Sequence, residues 1–307
     1  MLTLGRQGAA PAAVTGNLMA LASTVLWSSA FPATEFLLRG WDPVVLCVGR
    51  LAGAALAILL LTALAGQARQ LARAPWRDVW LLGACGVAAP VFLLVAGQGR
   101  ADAVTVAIIS TTLPLISALM SWFLDGRRPG ALVAAGILLA IAGGSLASVA
   151  DPGRPQGPRG GELLVLGSMI AWIWYSRAAL HRLAGFGDLA LSGLTFAAGA
   201  MVAAAALAVA LGLGLAEPRV EVDAANLAAM AWMSMVAIGL SVPLWFTSAR
   251  LLGITIAAIH TNLAPFYVML IALAFGGTVS GRQFAGALLV AAGALLAQLA
   301  AARRPAA

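Results

Sequence analysis

A small set of side chains could do chemistry here, and each lies inside a long apolar run: Trp27, Arg50, Trp172, Tyr175, Trp245, His260 and Asn262. Arg50 carries a planar guanidinium fork that matches a carboxylate. It could instead anchor at a membrane interface, or pair with Glu35 or Asp42. His260 is the one histidine deep in an apolar run, either packed and satisfied or serving as a gate or ligand contact. Thr261 and Asn262 stand one helical turn before Pro265, so they answer either freed backbone groups or a ligand. Trp172 and Tyr175 are three apart and share a helical face. With Trp27, Trp174 and Trp245 they are packing residues or cavity walls. This is chemistry for holding a molecule with an apolar body and a polar head.

Chemistry for transforming one is missing. No G-x-x-x-x-G-K-[ST] loop is present, so ATP is not the energy source. No G-x-S-x-G or H-E-x-x-H motif is present either. Cys47 and Cys85 are isolated, which makes neither a disulfide framework nor a metal site. No carboxylate lies midway along an apolar run, Glu35 being near the end of the first, so carboxylate-based proton coupling is unsupported. The expectation is a non-enzyme without metal or cofactor.

The elements that must position these residues follow from composition. The chain is 62% hydrophobic and 9% charged, with a mean hydropathy of +0.98. A soluble domain is roughly a quarter charged, so the lipid bilayer is the fitting solvent. Apolar runs fall at 16–38, 43–65, 78–99, 103–124, 130–149, 161–182, 188–214, 225–249, 253–276 and 281–301. Each approaches the ~20 residues that cross ~30 Å of hydrocarbon as a helix. The ten-residue alternation of a β-barrel is absent. Residues 1–15 form a polar tail too hydrophilic for a signal sequence, so the first run is expected to stay as an anchor.

All 18 cationic residues are arginines, and the net charge is +7. They stand singly or in pairs between runs, which argues for topology rather than nucleic-acid binding. With a cytoplasmic N-terminus, eleven fall inside: Arg6, Arg69, Arg73, Arg77, Arg127, Arg128, Arg177, Arg182, Arg250, Arg303 and Arg304. Six fall outside: Arg39, Arg100, Arg154, Arg159, Arg219 and Arg282. Both termini are therefore expected in the cytoplasm.

The halves repeat. Gly16, Leu18, Leu21, Ser23 and Trp27 recur as Gly161, Leu163, Leu166, Ser168 and Trp172, offset by 145. Asp42 and Asp188 open the second run of each half. Pro90 and Pro114 pair with Pro243 and Pro265, and Gly136 and Gly143 with Gly286 and Gly293. Five helices per half (16–149 and 161–301, joined by an outer linker at 150–160, with a tail at 302–307) make the second copy cross upside down. The predicted fold class is thus an all-α membrane protein of ten helices in a 5+5 inverted-topology repeat, with its site near the midplane and helix breaks at the four prolines. Gly49-x-x-x-Gly53 is read as close packing within a monomer.

The five-plus-five pattern, the Gly-to-Trp openings and the proline-bearing fourth runs resemble the EamA-type drug/metabolite transporter superfamily. The chain is most similar to its bacterial exporters of amino acids and related metabolites. The resemblance covers roughly 16–301 and implies a multi-pass protein of the cytoplasmic (inner) membrane. One departure stands out. The family's Glu after the fourth helix is replaced by Leu124-Asp125-Gly126-Arg127 and Phe275-Gly276-Gly277-Thr278.

The resulting expectation is a secondary transporter or facilitator exporting a small neutral or zwitterionic substrate, hydrophobic or aromatic amino acids first. Export of other metabolites or drugs is the alternative, and an intramembrane enzyme or a non-transporting receptor a distant one. The expected cavity is lined by the first, second, third, fourth, sixth, eighth and ninth helices, with the fifth and tenth peripheral. The expected partners are the substrate and the bilayer.

Overall fold

The computed structural model describes residues 4–126, 130–148, 160–214 and 218–302. They form helices and no strand; one antiparallel bridge joins Trp41 to Val220. Ten long helical segments succeed one another: α1 (Leu4–Leu37), α2 (Pro43–Leu64), α3 (Trp76–Gln98), α4 (Ala103–Asp125), α5 (Ala131–Ser148), α6 (Gly161–Arg182), α7 (Asp188–Gly212), α8 (Ala224–Leu252), α9 (Ile254–Ala274) and α10 (Gly281–Ala302). Seven of them, α2–α4 and α6–α9, are long and apolar enough to cross a membrane among the described residues. α1 begins at Leu4 rather than near residue 16, so much of the expected tail is helical. The linker at 150–160, except Gly160, lies outside the described residues, as do Arg127, Arg128, Arg303 and Arg304.

Local chemistry sets the boundaries. The Asp42 carboxylate accepts the N–H of Val44 and Val45 at the start of α2. Asp102 and Asp223 cap α4 and α8 in the same way. Bonds from the Asn226 backbone and side chain hold the Asp223 carboxyl below the usual range.

Two helices change winding. α3 contains a π segment at Leu82–Ala88 and α8 another at Trp232–Ile238, 150 residues later. Two others break: α4 at Thr111–Thr112, and α9 in a 3₁₀ turn at His260–Leu263. A proline follows each irregularity within the first three residues of the next α-segment, where its missing N–H costs no internal bond: Pro90, Pro114, Pro243 and Pro265.

Extensive packing joins first half to second: α1 with α8, α2 with α7, α3 with α6 and α7, α4 with α9, and α5 with α10. Small residues permit the closest approaches. A Cβ on Gly53 would meet Ser234 Oγ at 2.2 Å, and one on Gly199 would meet Val87 Cγ1 at 2.8 Å. Each glycine thus presses a π segment of the opposite half. The Gly49-x-x-x-Gly53 surface is accordingly occupied by Met230 and Ser234 of α8.

Polar contacts tie the two ends. At one end Arg177 pairs with Asp125 at 2.9 Å, Arg182 with Asp78, and Arg250 with Asp188. At the other, the Trp41 indole donates to the Glu221 carbonyl at 2.9 Å, and Gln283 donates to Asp102 at 2.8 Å.

Candidate functional site

A central cavity opens where the halves meet. Its wall takes Ser23, Thr24 and Trp27 from α1, Arg50 from α2, Pro90, Val91 and Leu94 from α3, and Leu113 from α4. The second half gives Ser168, Met169 and Trp172 from α6, Phe196 from α7, Ile238, Ser241, Val242 and Trp245 from α8, and Thr261 from α9. Among the described residues neither α5 nor α10 contributes to the lining; instead they lie along each other. The seventh helix does contribute, through Phe196, contrary to the expected set.

The aromatic residues are fixed by their neighbours. Trp172 lies 6.3 Å from Trp245 and 5.3 Å from Tyr175, centroid to centroid. The Trp245 indole N–H donates to Ser176 Oγ at 3.0 Å, and Ser176 donates to the Trp172 carbonyl at 2.9 Å, which fastens α8 to α6. Trp27 packs edge-on against Phe31 at 4.8 Å. Trp174 is half-buried against the apolar core and does not line the cavity.

Arg50 is only 2% exposed. Its Nη1 donates to Thr34 Oγ1 at 3.0 Å, and its Nε has no partner. Neither carboxylate considered from the sequence reaches it: Glu35 accepts the Ala103 N–H at 3.0 Å, and Asp42 is spent on the α2 cap. The guanidinium is also not at an interface, because α2 is packed against α7 and the α8 π segment around it. A charge taken out of water costs on the order of several kcal/mol, so an Arg with one neutral partner is poised for an anion.

Three of the sequence candidates lie off the wall. Tyr175 is fully buried behind Trp172, with its hydroxyl 2.6 Å from Thr195 Oγ1. His260 and Asn262 sit in the 3₁₀ turn of α9, where the neighbouring Thr261 faces the cavity instead. His260 Nδ1 and Asn262 Oδ1 are both buried without a partner. A 3₁₀ turn has 3.0 residues per turn against 3.6, which turns consecutive side chains to other directions than an α-helix would. Pro90 lines the cavity; Pro114, Pro243 and Pro265 are buried just outside it.

Phe196 was missed because an apolar residue in an apolar run carries no polar signal. The expected repeat held one. The Asp42-to-Asp188 offset of 146 carries Arg50 onto Phe196 and Gly53 onto Gly199.

Known proteins place this arrangement. No curated protein matches the chain. A solved crystal structure superposes with a TM-score of 0.70 at 22% identity, over 94% of this chain and 98% of its own. At that identity the likeness establishes a shared fold and nothing finer. Residues 14–149 match the model of the EamA-like transporter family. That match spans α1 to α5 and includes Trp27, Arg50, Pro90 and Pro114. An EamA-like transporter family domain is thus matched at residues 14–149, and over that stretch the first half of this chain is similar to that family.

Proposed function

We propose that this chain is a secondary transporter or facilitator that exports small neutral or zwitterionic metabolites across the bacterial cytoplasmic membrane by alternating access. Amino acids with hydrophobic or aromatic side chains are the favoured cargo. The carrying observation is the cavity's composition: tryptophans from both halves, one buried cation at Arg50, and no carboxylate among the described residues of the wall. Aromatic faces suit an apolar side chain, and a guanidinium suits an α-carboxylate. A lipophilic cation would find no counter-charge.

The mechanism rests on a 5+5 inverted repeat, which several observations support. The π segments recur at 150 residues, the α4 and α9 breaks near 151, and Trp27 recurs as Trp172 at 145. Renumbering each helix by five turns the α1–α8 contact into α6–α3 and leaves α2–α7, α4–α9 and α5–α10 unchanged, as a two-fold axis in the membrane plane requires. A site on that axis lies near the midplane, and rocking one half against the other exposes it to each side in turn. The interrupted helices beside Pro90, Pro114, Pro243 and Pro265 are the parts that move, and a single chain holds the whole cavity. His260 and Asn262, with buried atoms lacking partners, join the substrate path when α9 rearranges.

Flux in proteoliposomes tests this. Reconstituted protein should exchange radiolabelled L-phenylalanine or L-leucine saturably, and Trp172→Ala should raise the half-saturating concentration about five-fold, the loss of about 1 kcal/mol of aromatic contact. Absence of flux for every amino acid assayed overturns the reading.

A further inference from the structure

We infer that the cavity selects its ligand by one carboxylate, and that an α-ammonium is tolerated but not read. The inference rests on the transport reading above and narrows its substrate class to aromatic or aliphatic carboxylic acids, with or without an amino group.

The asymmetry lies in the polar groups of the wall. Among the described residues Arg50 is the only charged one lining the cavity, and it is buried. Of its five N–H donors, Nη1 is bound to a neutral hydroxyl and Nε is unpartnered. Thr34 adds no negative charge, since its hydroxyl is itself spent on the Ala30 carbonyl at 2.7 Å. No carboxylate among the described residues forms an ion pair with Arg50. A planar, bidentate anion completes this group better than water does, because it supplies charge as well as two acceptors.

An ammonium meets neutral dipoles and indole faces, but no carboxylate among the described lining residues. Ser23 donates to the Ser241 carbonyl at 2.8 Å, Ser241 to the Ile238 carbonyl at 3.2 Å, and Thr261 to the Ala258 carbonyl at 2.6 Å. With their protons committed, these oxygens can still accept a bond from an ammonium, so a zwitterion is not excluded. They cannot repay its desolvation as a carboxylate would. Arg50 also stands at the position where the repeat puts Phe196 in the other half. One side of the cavity is therefore charged and the matched side apolar, which orients a ligand having one anionic end and one ring or aliphatic end.

The test uses four small probes of one shape on the full-length protein in detergent, read by the fluorescence of the cavity tryptophans. 3-Phenylpropionate has the carboxylate alone, L-phenylalanine both charges, phenethylamine the ammonium alone, and 3-phenylpropanamide neither. The expected result is that the two carboxylates bind within about five-fold of each other. The amine and the amide should bind at least ten-fold more weakly. Arg50→Gln should bring acid and amide to equal affinity, a change that loss of packing alone would not produce. If Arg50→Gln does not fold, Arg50→Lys should keep the preference for acid over amide while weakening both acids. Amide equal to acid in the wild type, tightest binding by the amine, or no binding by any probe overturns the inference. Charge-ordered binding without flux in proteoliposomes would refute the transport reading and leave this one standing. Flux without carboxylate preference would do the reverse.

Discussion

Replacing Gly86 by alanine should loosen the wall of the cavity from behind. A Cβ at this position would lie 2.4 Å from Tyr175 Cδ2 and 2.8 Å from both its Cβ and its Cγ. Two of those atoms are the root of the side chain, so a ring flip does not clear the space. The ring is also pinned: its hydroxyl is 2.6 Å from Thr195 Oγ1, and its face and edge meet Trp172 at 5.3 Å and Phe246 at 5.5 Å. Overpacking a filled core costs ~1–3 kcal/mol, against a gain of ~0.5–1 kcal/mol from removing a glycine from a helix. A net loss of about 1–2 kcal/mol is therefore expected. Gly167→Ala on α6 supplies the contrast, because its Cβ would meet only Leu93 Cδ1, at 3.6 Å. That variant keeps the gain without the clash and should be neutral or slightly more stable than wild type. Thermal unfolding in detergent should order the proteins Gly86→Ala, wild type, Gly167→Ala, and Gly86→Ala should also weaken ligand binding through the displaced Trp172. Equal midpoints for the two variants would refute the claim that α3 and α6 are in hard contact at Gly86.

Two further outcomes are expected. In a background without Cys47 and Cys85, an impermeant thiol reagent applied from the periplasmic side should modify Gln156→Cys, outside the described residues, and spare Gln70→Cys; the reverse pattern would invert the orientation. The Asp223 cap predicts an acid limb in stability: a carboxyl held below its unfolded value adds stability that is present above that value and is lost as pH falls through the folded one. Asp223→Asn should flatten that limb below about pH 4, and an unchanged acid unfolding profile would show that the cap contributes nothing there.

Hydropathy carried the helices, because a segment surrounded by lipid must satisfy its own backbone and little else can vary. The start of α2 was readable from Asp42, whose side chain caps the next turn. The cavity was readable only in part. Trp27, Trp172, Trp245 and Arg50 announced themselves by type, and the repeat raised the first two. Tyr175 shares the face of Trp172, as its spacing required, yet its hydroxyl finds Thr195 and leaves the wall. His260 and Asn262 stood out as polar groups within an apolar run, but the stretch is wound as 3₁₀ and it is Thr261 between them that lines the cavity. The π segments had no signature at all: Leu82–Ala88 and Trp232–Ile238 read as ordinary apolar helix, since the choice between windings is settled by packing from across the molecule, where Gly53 and Gly199 press in.

Those two π segments have a consequence for insertions and deletions. A π turn holds one residue more than the α-helix around it, and each added residue offsets all that follows by about 100°. In α3 the residues downstream are Pro90, Val91 and Leu94; in α8 they are Ser241, Val242 and Trp245. Both groups face the cavity with that extra residue in place. Deleting one residue between Leu82 and Ala88 would leave the hydropathy of α3 nearly unchanged and let the helix close into continuous α winding. It would also carry that part of the wall through more than a quarter-turn, toward α6 or lipid. A chain that still inserts, still folds into ten helices and no longer holds its ligand is the expected product of so small a change.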